Sequence, residues 1–206
     1  MIGVYGGTFN PVHYGHLRTA LEVSEAFALD EIRLIPCRLP PHRRQPQASA
    51  ELRLRMLQLA LSGVPGMRAD RRELDREGPS YMVDTLRSLR RELADQSILL
   101  FLGVDAFAKL KTWHQWRQLF DYAHIVVMTR PGHRHDELDD FFDRRLVERP
   151  ALLRKQQAGY LYFQHVTQLD ISATAIRELI ALNKDPRFLL PDSVIAYITE
   201  HKLYRG

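Results

Sequence analysis

Short apolar runs of strand length recur along this chain between longer stretches whose apolar residues fall at helical spacing. That alternation restricts the fold more than any other feature. Residues 2–6 (IGVYG), 31–36 (EIRLIP), 97–103 (SILLFLG), 124–130 (HIVVMTR) and 159–166 (GYLYFQHV) read as strands, with a weaker candidate within 67–75. Helical spacing runs through 16–29, 51–63, 80–93, 173–182 and 193–204, and a short helix is expected at 113–121. Ser80, following Pro79, is the expected N-cap of the third helix. Residues 38–49 form a proline-rich, cationic loop, and 142–156 fit neither pattern. Helices between successive strands imply right-handed crossovers onto a parallel sheet. The expected fold is therefore α/β: a Rossmann-like, doubly wound parallel sheet with helices on both faces. It is read as one domain over 1–206, helical in its C-terminal portion from about 171. A chain of 206 residues with 45% hydrophobic content can bury a core of that size.

Bulk properties narrow the function classes. One cysteine, Cys37, rules out an internal disulfide framework and fits a reducing, cytoplasmic setting. No signal peptide is read at the N-terminus, and no apolar run approaches the ~18 residues of a membrane span. The formal charge is +4, but cations are interleaved with acids, as in 71–77 (RRELDRE) and 139–145 (DDFFDRR). Such stretches read as solvated faces, and neither nucleic acid nor membrane is expected as a partner. A basic pocket for a phosphorylated small molecule accounts for the charge more simply. Self-association is left open.

The stretch 6–16 (GGTFNPVHYGH) lies at a strand-to-helix junction, the end of a parallel sheet where ligands bind. Gly6 and Gly7 let the chain leave the strand sharply and bring amides near a ligand. The following helix offers its N-terminus to an anion. His13 and His16 are three residues apart and can share a helix face, with Gly15 between them expected to clear a path for the ligand. Together with the Thr8 hydroxyl they make a cradle for phosphoryl oxygens. A structural histidine pair, or half a zinc site, remains open on spacing alone, although no cysteine or acidic partner pattern completes the metal site. Near the other end, in 171–178 (ISATAIRE), Ser172 is a natural N-cap, Thr174 lies in the first turn, and Arg177 one turn on can present its planar fork to phosphate.

Residues 6–17 (GGTFNPVHYGHL), with their His-x-Gly-His-like core, resemble the signature of the nucleotidyltransferase superfamily, and 171–178 resemble its second signature. Further strings are similar to the bacterial nicotinate-nucleotide adenylyltransferases: LPPHR (39–43), EGPSYMVDTL (77–86), FLGVDAF (101–107), KTWHQW (111–116), TRPGH (129–133) and PDSVIAYITEHKLY (191–204). The resemblance spans nearly the whole chain.

That resemblance implies transfer of the adenylyl group of ATP to nicotinate mononucleotide, with pyrophosphate released and magnesium carried mainly on the ATP phosphates. It implies an ATP site of Gly6, Gly7, Thr8, Phe9, His13, His16, Gly103, Asp105, Ser172, Thr174 and Arg177. Thr8, His13, His16 and Arg177 act on the phosphates undergoing chemistry. It further implies that Trp113 stacks on the pyridine ring, that the backbone at His114 and the segment around Met82 and Thr85 hold the nicotinate carboxylate, and that Arg130 reaches the mononucleotide phosphate. His42 and Arg43 are implied as a cationic lid; as residues alone they read equally as linker. Without the resemblance, Asp105 reads as a helix N-cap and Trp113 as core. Three positions depart from the usual family residues: Asn10 for aspartate, Cys37 for asparagine and Met82 for threonine, the last losing a hydroxyl while keeping its backbone N–H. The alternatives are an enzyme preferring nicotinamide mononucleotide or phosphopantetheine, a class I aminoacyl-tRNA synthetase fragment, and a non-catalytic ATP-binding regulator. Length, Trp113 and the absence of a lysine-rich loop argue against phosphopantetheine and synthetase.

Overall fold

The computed structural model describes residues 1–40, 45–130 and 138–205. In it the alternation becomes a six-stranded sheet of β1 (Ile2–Gly7), β2 (Glu31–Pro36), β3 (Met67–Ala69), β4 (Ile98–Gly103), β5 (His124–Thr129) and β6 (Leu161–His165). The order is β3-β2-β1-β4-β5-β6 and every pairing is parallel. This is the doubly wound arrangement, reversing direction between β1 and β4, where the fold opens its ligand crevice.

The helices are α1 (Tyr14–Ala26), α2 (Ala50–Leu61), α3 (Met82–Glu92), α4 (Val104–Ala108), α5 (Leu119–Tyr122), α6 (Asp140–Asp143), α7 (Ala173–Ala181) and α8 (Asp192–Glu200). Short 3-10 turns occur at Leu110–Thr112, Trp116–Gln118 and Pro150–Arg154. Alternate residues of each strand point to opposite faces. Ile32, Leu34, Leu99, Phe101, Val126 and Met128 therefore join one core, which also holds Val23 of α1, Leu57 of α2, Ile176 of α7 and Ile198 of α8. Ile35, Leu100, Leu102, Ile125 and Val127 join the other, with Leu86 of α3, Phe120 of α5 and Phe142 of α6. The first and last helices thus share one face of the sheet.

Several details differ from the sequence reading. The segment 67–75 supplies only three strand residues. The short helix expected at 113–121 is broken: Gln115 has φ of 50°, which separates two 3-10 turns before α5. The ambiguous 142–156 contains the end of α6, a bridge from Leu146 to Leu161 and a 3-10 turn opened by Pro150. Ser80 does not cap α3. Tyr81 holds the cap position, and the Ser80 hydroxyl accepts from the Arg38 amide at 2.8 Å, so the serine ties loops together. No helix among the described residues is long and apolar enough to cross a membrane.

Candidate active site

The turn leaving β1 is fixed from inside. Phe9 is buried at φ 47°, left-handed backbone that a non-glycine side chain adopts only when its surroundings hold it there. Its ring meets Tyr5 edge-on at 5.9 Å and His16 edge-on at 5.0 Å. The side chain of Phe9 is thus scaffold. A Cβ on Gly7 would lie 2.9 Å from the Phe9 ring, so a larger residue there would displace that scaffold.

His13 takes the N-cap position of α1 and His16 sits in its first turn, with ring centroids 3.8 Å apart. The Nδ1 atoms of both rings are buried without a partner among the described residues. Burial pushes the His13 pKa down to about 4; burial, and then His13 itself, push His16 down to about 3. At neutral pH both rings are uncharged. Gly15 has a different reason from the one its position suggests: a Cβ there would meet His13 Cε1 and Nδ1 at 3.0 Å. The glycine makes room for the imidazole.

The second signature lies against this turn. Ser172 caps α7, accepting from the Ala175 amide at 3.1 Å. Thr174 is exposed in the first turn. Arg177 Nη1 donates to the Asn10 carbonyl at 2.8 Å and Nη2 to Thr174 Oγ1 at 3.2 Å. The chain's end adds two more ties: Tyr14 N donates to the Leu189 carbonyl at 2.9 Å, and Tyr204 Oη donates to Asn10 Oδ1 at 2.7 Å. Both ends of the polypeptide therefore line one cleft. Asn10 carries the acceptor oxygen that an aspartate would offer to Tyr204, so that contact survives the departure from the family residue.

The carboxyl ends of neighbouring strands complete the rim. Cys37 follows β2, its thiol 3.8 Å from Thr8 Oγ1, with its pKa pushed up by burial. Gly103 ends β4 and is the cap residue of α4. Asp105 is exposed in the first turn of α4 and is not its N-cap. Met82 opens α3, and a Cβ on Gly6 would lie 2.5 Å from Met82 Cε, which brings the α3 N-terminus directly against β1. Across from it, Trp113 is half-buried against the apolar cluster of that face, and the His114 ring stacks on Tyr81 at 4.3 Å.

Two of the expected residues already have protein partners. Thr85 is completely buried, and its hydroxyl donates to Glu73 Oε1 at 2.6 Å, so it stands behind the wall of the site and props it. Arg130 is exposed at the end of β5 and donates to Gln168 Oε1 at 2.8 Å. His42 and Arg43 lie outside the described residues.

Reading the sequence missed four participants. Tyr204 is one, a residue near the chain end that bonds Asn10. Tyr81 is another, hidden because no spacing rule links it to His114. Glu73 is a third: it is buried, its pKa is raised by that burial, and it holds Thr85. Arg53, buried within α2, is the fourth. Its signal was available, because a cation interrupts the apolar stripe of residues 54, 57 and 61.

No group of three or more His, Cys, Asp or Glu able to hold a metal exists among the described residues. The donors present suit phosphate oxygens.

Residues 4–179 match the family model described as cytidylyltransferase-like. Over 208 residues the chain is 50% identical to a probable nicotinate-nucleotide adenylyltransferase of Methylococcus capsulatus, covering 99% of each. It is 48% identical over 209 residues to the protein of that name in Pseudomonas aeruginosa, covering 100% of this chain and 97% of the relative. Among solved structures it resembles the Plasmodium falciparum nicotinic acid mononucleotide adenylyltransferase complexed with NaAD. The TM-score is 0.73 at 17% identity, over 98% of this chain and 96% of that one, a similarity of fold.

Proposed function

The chain belongs to the nicotinate-nucleotide adenylyltransferase family, and from that premise we propose how its residues divide the work of the reaction. The reaction transfers the adenylyl group of ATP to nicotinate mononucleotide, giving nicotinate adenine dinucleotide and pyrophosphate. The nucleophile is a phosphate oxygen of the mononucleotide, already anionic, so no general base is required. What the protein must supply is alignment of two anions and neutralisation of charge growing at the α-phosphate and the leaving pyrophosphate.

His13 and His16 turn their uncharged rings to that charge, with the Thr8 hydroxyl and the α1 N-terminus beside them. Ser172, Thr174 and Arg177 receive the β- and γ-phosphates at the start of α7. Gly6 and Gly7 let the nucleotide approach β1, while Gly103 and Asp105 receive its ribose and adenine side. On the far side of β1, the amides opening α3 at Met82 take the nicotinate carboxylate, Trp113 faces the pyridine ring and the backbone at His114 closes the pocket. Thr85 and Tyr81 support this wall from behind. Arg130 is assigned to the mononucleotide phosphate, and His42 and Arg43 to a cationic lid over the mononucleotide. Magnesium enters as part of the metal–ATP substrate, held by phosphate oxygens and water. The lone Cys37 suits a cytoplasmic setting.

The observation that carries this division is the Arg177–Asn10 bond, which seats the last third of the chain against the first turn. The test is formation of the dinucleotide from ATP with nicotinate mononucleotide and, separately, nicotinamide mononucleotide. The reading expects the nicotinate substrate to be preferred. Equal or reversed preference would remove the role given to the α3 N-terminus.

A further inference from the structure

Arg53 is the largest of the fully buried side chains, only 1% exposed, on a helix whose other inward residues are apolar. Its guanidinium donates to four backbone carbonyls, with the Cys37 thiol beside it. Nη1 donates to Thr8 at 2.7 Å, Nη2 to Cys37 at 2.7 Å and to Arg38 at 3.4 Å, and Nε to Ala48 at 3.1 Å. These acceptors come from three separate segments: the turn after β1, the end of β2 and the approach to α2. None of them carries a negative charge.

Burying a guanidinium without an anion is costly, and native proteins pair such charges with carboxylates. Among the described residues Arg53 forms no ion pair. Burial depresses its pKa, yet a guanidinium keeps its charge at neutral pH. The titratable groups around it are Cys37, Tyr204 and Glu73. The Cys37 thiol and Tyr204 phenol have their pKa values raised by burial and stay neutral. Glu73, also raised by burial, is engaged by Thr85. No carboxylate among the described residues is within ion-pair distance of this cation, which lies one bond away from the Thr8 segment of the phosphate cradle.

We propose that Arg53 is a positioning residue of the nucleotide site, hanging the Thr8 turn from the end of β2 while its unpaired charge is balanced by the phosphates of bound ATP. The proposal rests on the reading of this cleft as an ATP site. It assigns α2 a part in nucleotide binding. A planar fork is needed to reach carbonyls on several segments at once, whereas the charge alone is what the phosphates feel. The two roles separate by substitution.

Arg53→Lys keeps the charge and loses the fork; Arg53→Met loses both. The experiment measures the ATP dissociation constant by titration calorimetry and the melting temperature of each full-length variant. Both variants should melt below the parent protein. ATP affinity should fall about tenfold or more in Arg53→Met, but less than about threefold in Arg53→Lys, at comparable melting temperatures. Equal ATP affinity in the two variants, or affinity that simply follows melting temperature, overturns the proposal. Should Arg53→Met not fold, Arg53→Gln takes its place, because its amide can still serve one carbonyl. Should no neutral variant fold where Arg53→Lys does, the charge serves folding alone and the proposal fails. Dinucleotide formation by the parent protein is measured separately. Charge-dependent ATP binding without turnover of nicotinate mononucleotide would sink the function and leave the role of Arg53 standing.

Discussion

His16 is held in place by the tilted His13 ring on one side and an aromatic edge on the other, and its Nδ1 has no hydrogen-bond partner among the described residues. Replacing it with alanine should leave the fold intact and lower kcat by about a hundredfold or more, the usual effect of removing one donor to developing charge; steady-state pyrophosphate release checks this, and near-normal turnover would remove its assigned role. The same two imidazoles make stability depend on pH. Their folded pKa values lie below the ordinary 6.5, so between about pH 6.5 and 4 the unfolded chain binds protons that the native state refuses. Their contribution is fully present above pH 6.5 and drains as pH falls, by up to about 1.4 kcal/mol per pH unit for each ring. Denaturant unfolding at pH 7, 6 and 5 should show a shallower loss in His16→Asn than in the parent; parallel slopes would mean the ring is not desolvated. At this scale the sequence was informative about identity but not about reasons. The histidine pair, Thr8 and Arg177 are visible as residues, whereas Gly15 turns out to serve His13, and Thr85 turns out to be spent on Glu73.

The elements were legible because periodicity is a local property. The apolar runs became β1, β2, β4, β5 and β6, and the expected cap of α7 is the observed one. Ser172→Ala should therefore cost about 1 kcal/mol of stability through loss of its bond to Ala175. Urea titration checks this, and an unchanged midpoint would show that the cap is idle. Ser80 was misread because its sequence neighbourhood looks like a cap, while its hydroxyl is drawn to the Arg38 amide 42 residues away in the chain. Arg53 was overlooked for the same reason: only long-range carbonyls explain a cation on the inner face of α2. Local rules fail where a side chain's partner comes from a distant segment.

Across the whole molecule, what no local pattern contains is the way the chain closes on itself. Alternation implies a parallel sheet but not that α7, α8 and the final residues return to the β1 turn. The bond from Tyr204 to Asn10 spans 194 residues and is buried. Tyr204→Phe should leave the Asn10 oxygen unsatisfied and cost about 1–3 kcal/mol, read as a lowered unfolding midpoint; no change would mean that the contact does not hold the ends together. The central claim is that both ends of the chain grip one triphosphate. It is tested most directly by a crystal structure with a non-hydrolysable ATP analogue. The account predicts phosphate oxygens within hydrogen-bonding reach, about 2.7–3.2 Å, of an imidazole of the His13–His16 pair and of Arg177 in the same complex. A triphosphate bound with either the imidazoles or the guanidinium out of reach would contradict it.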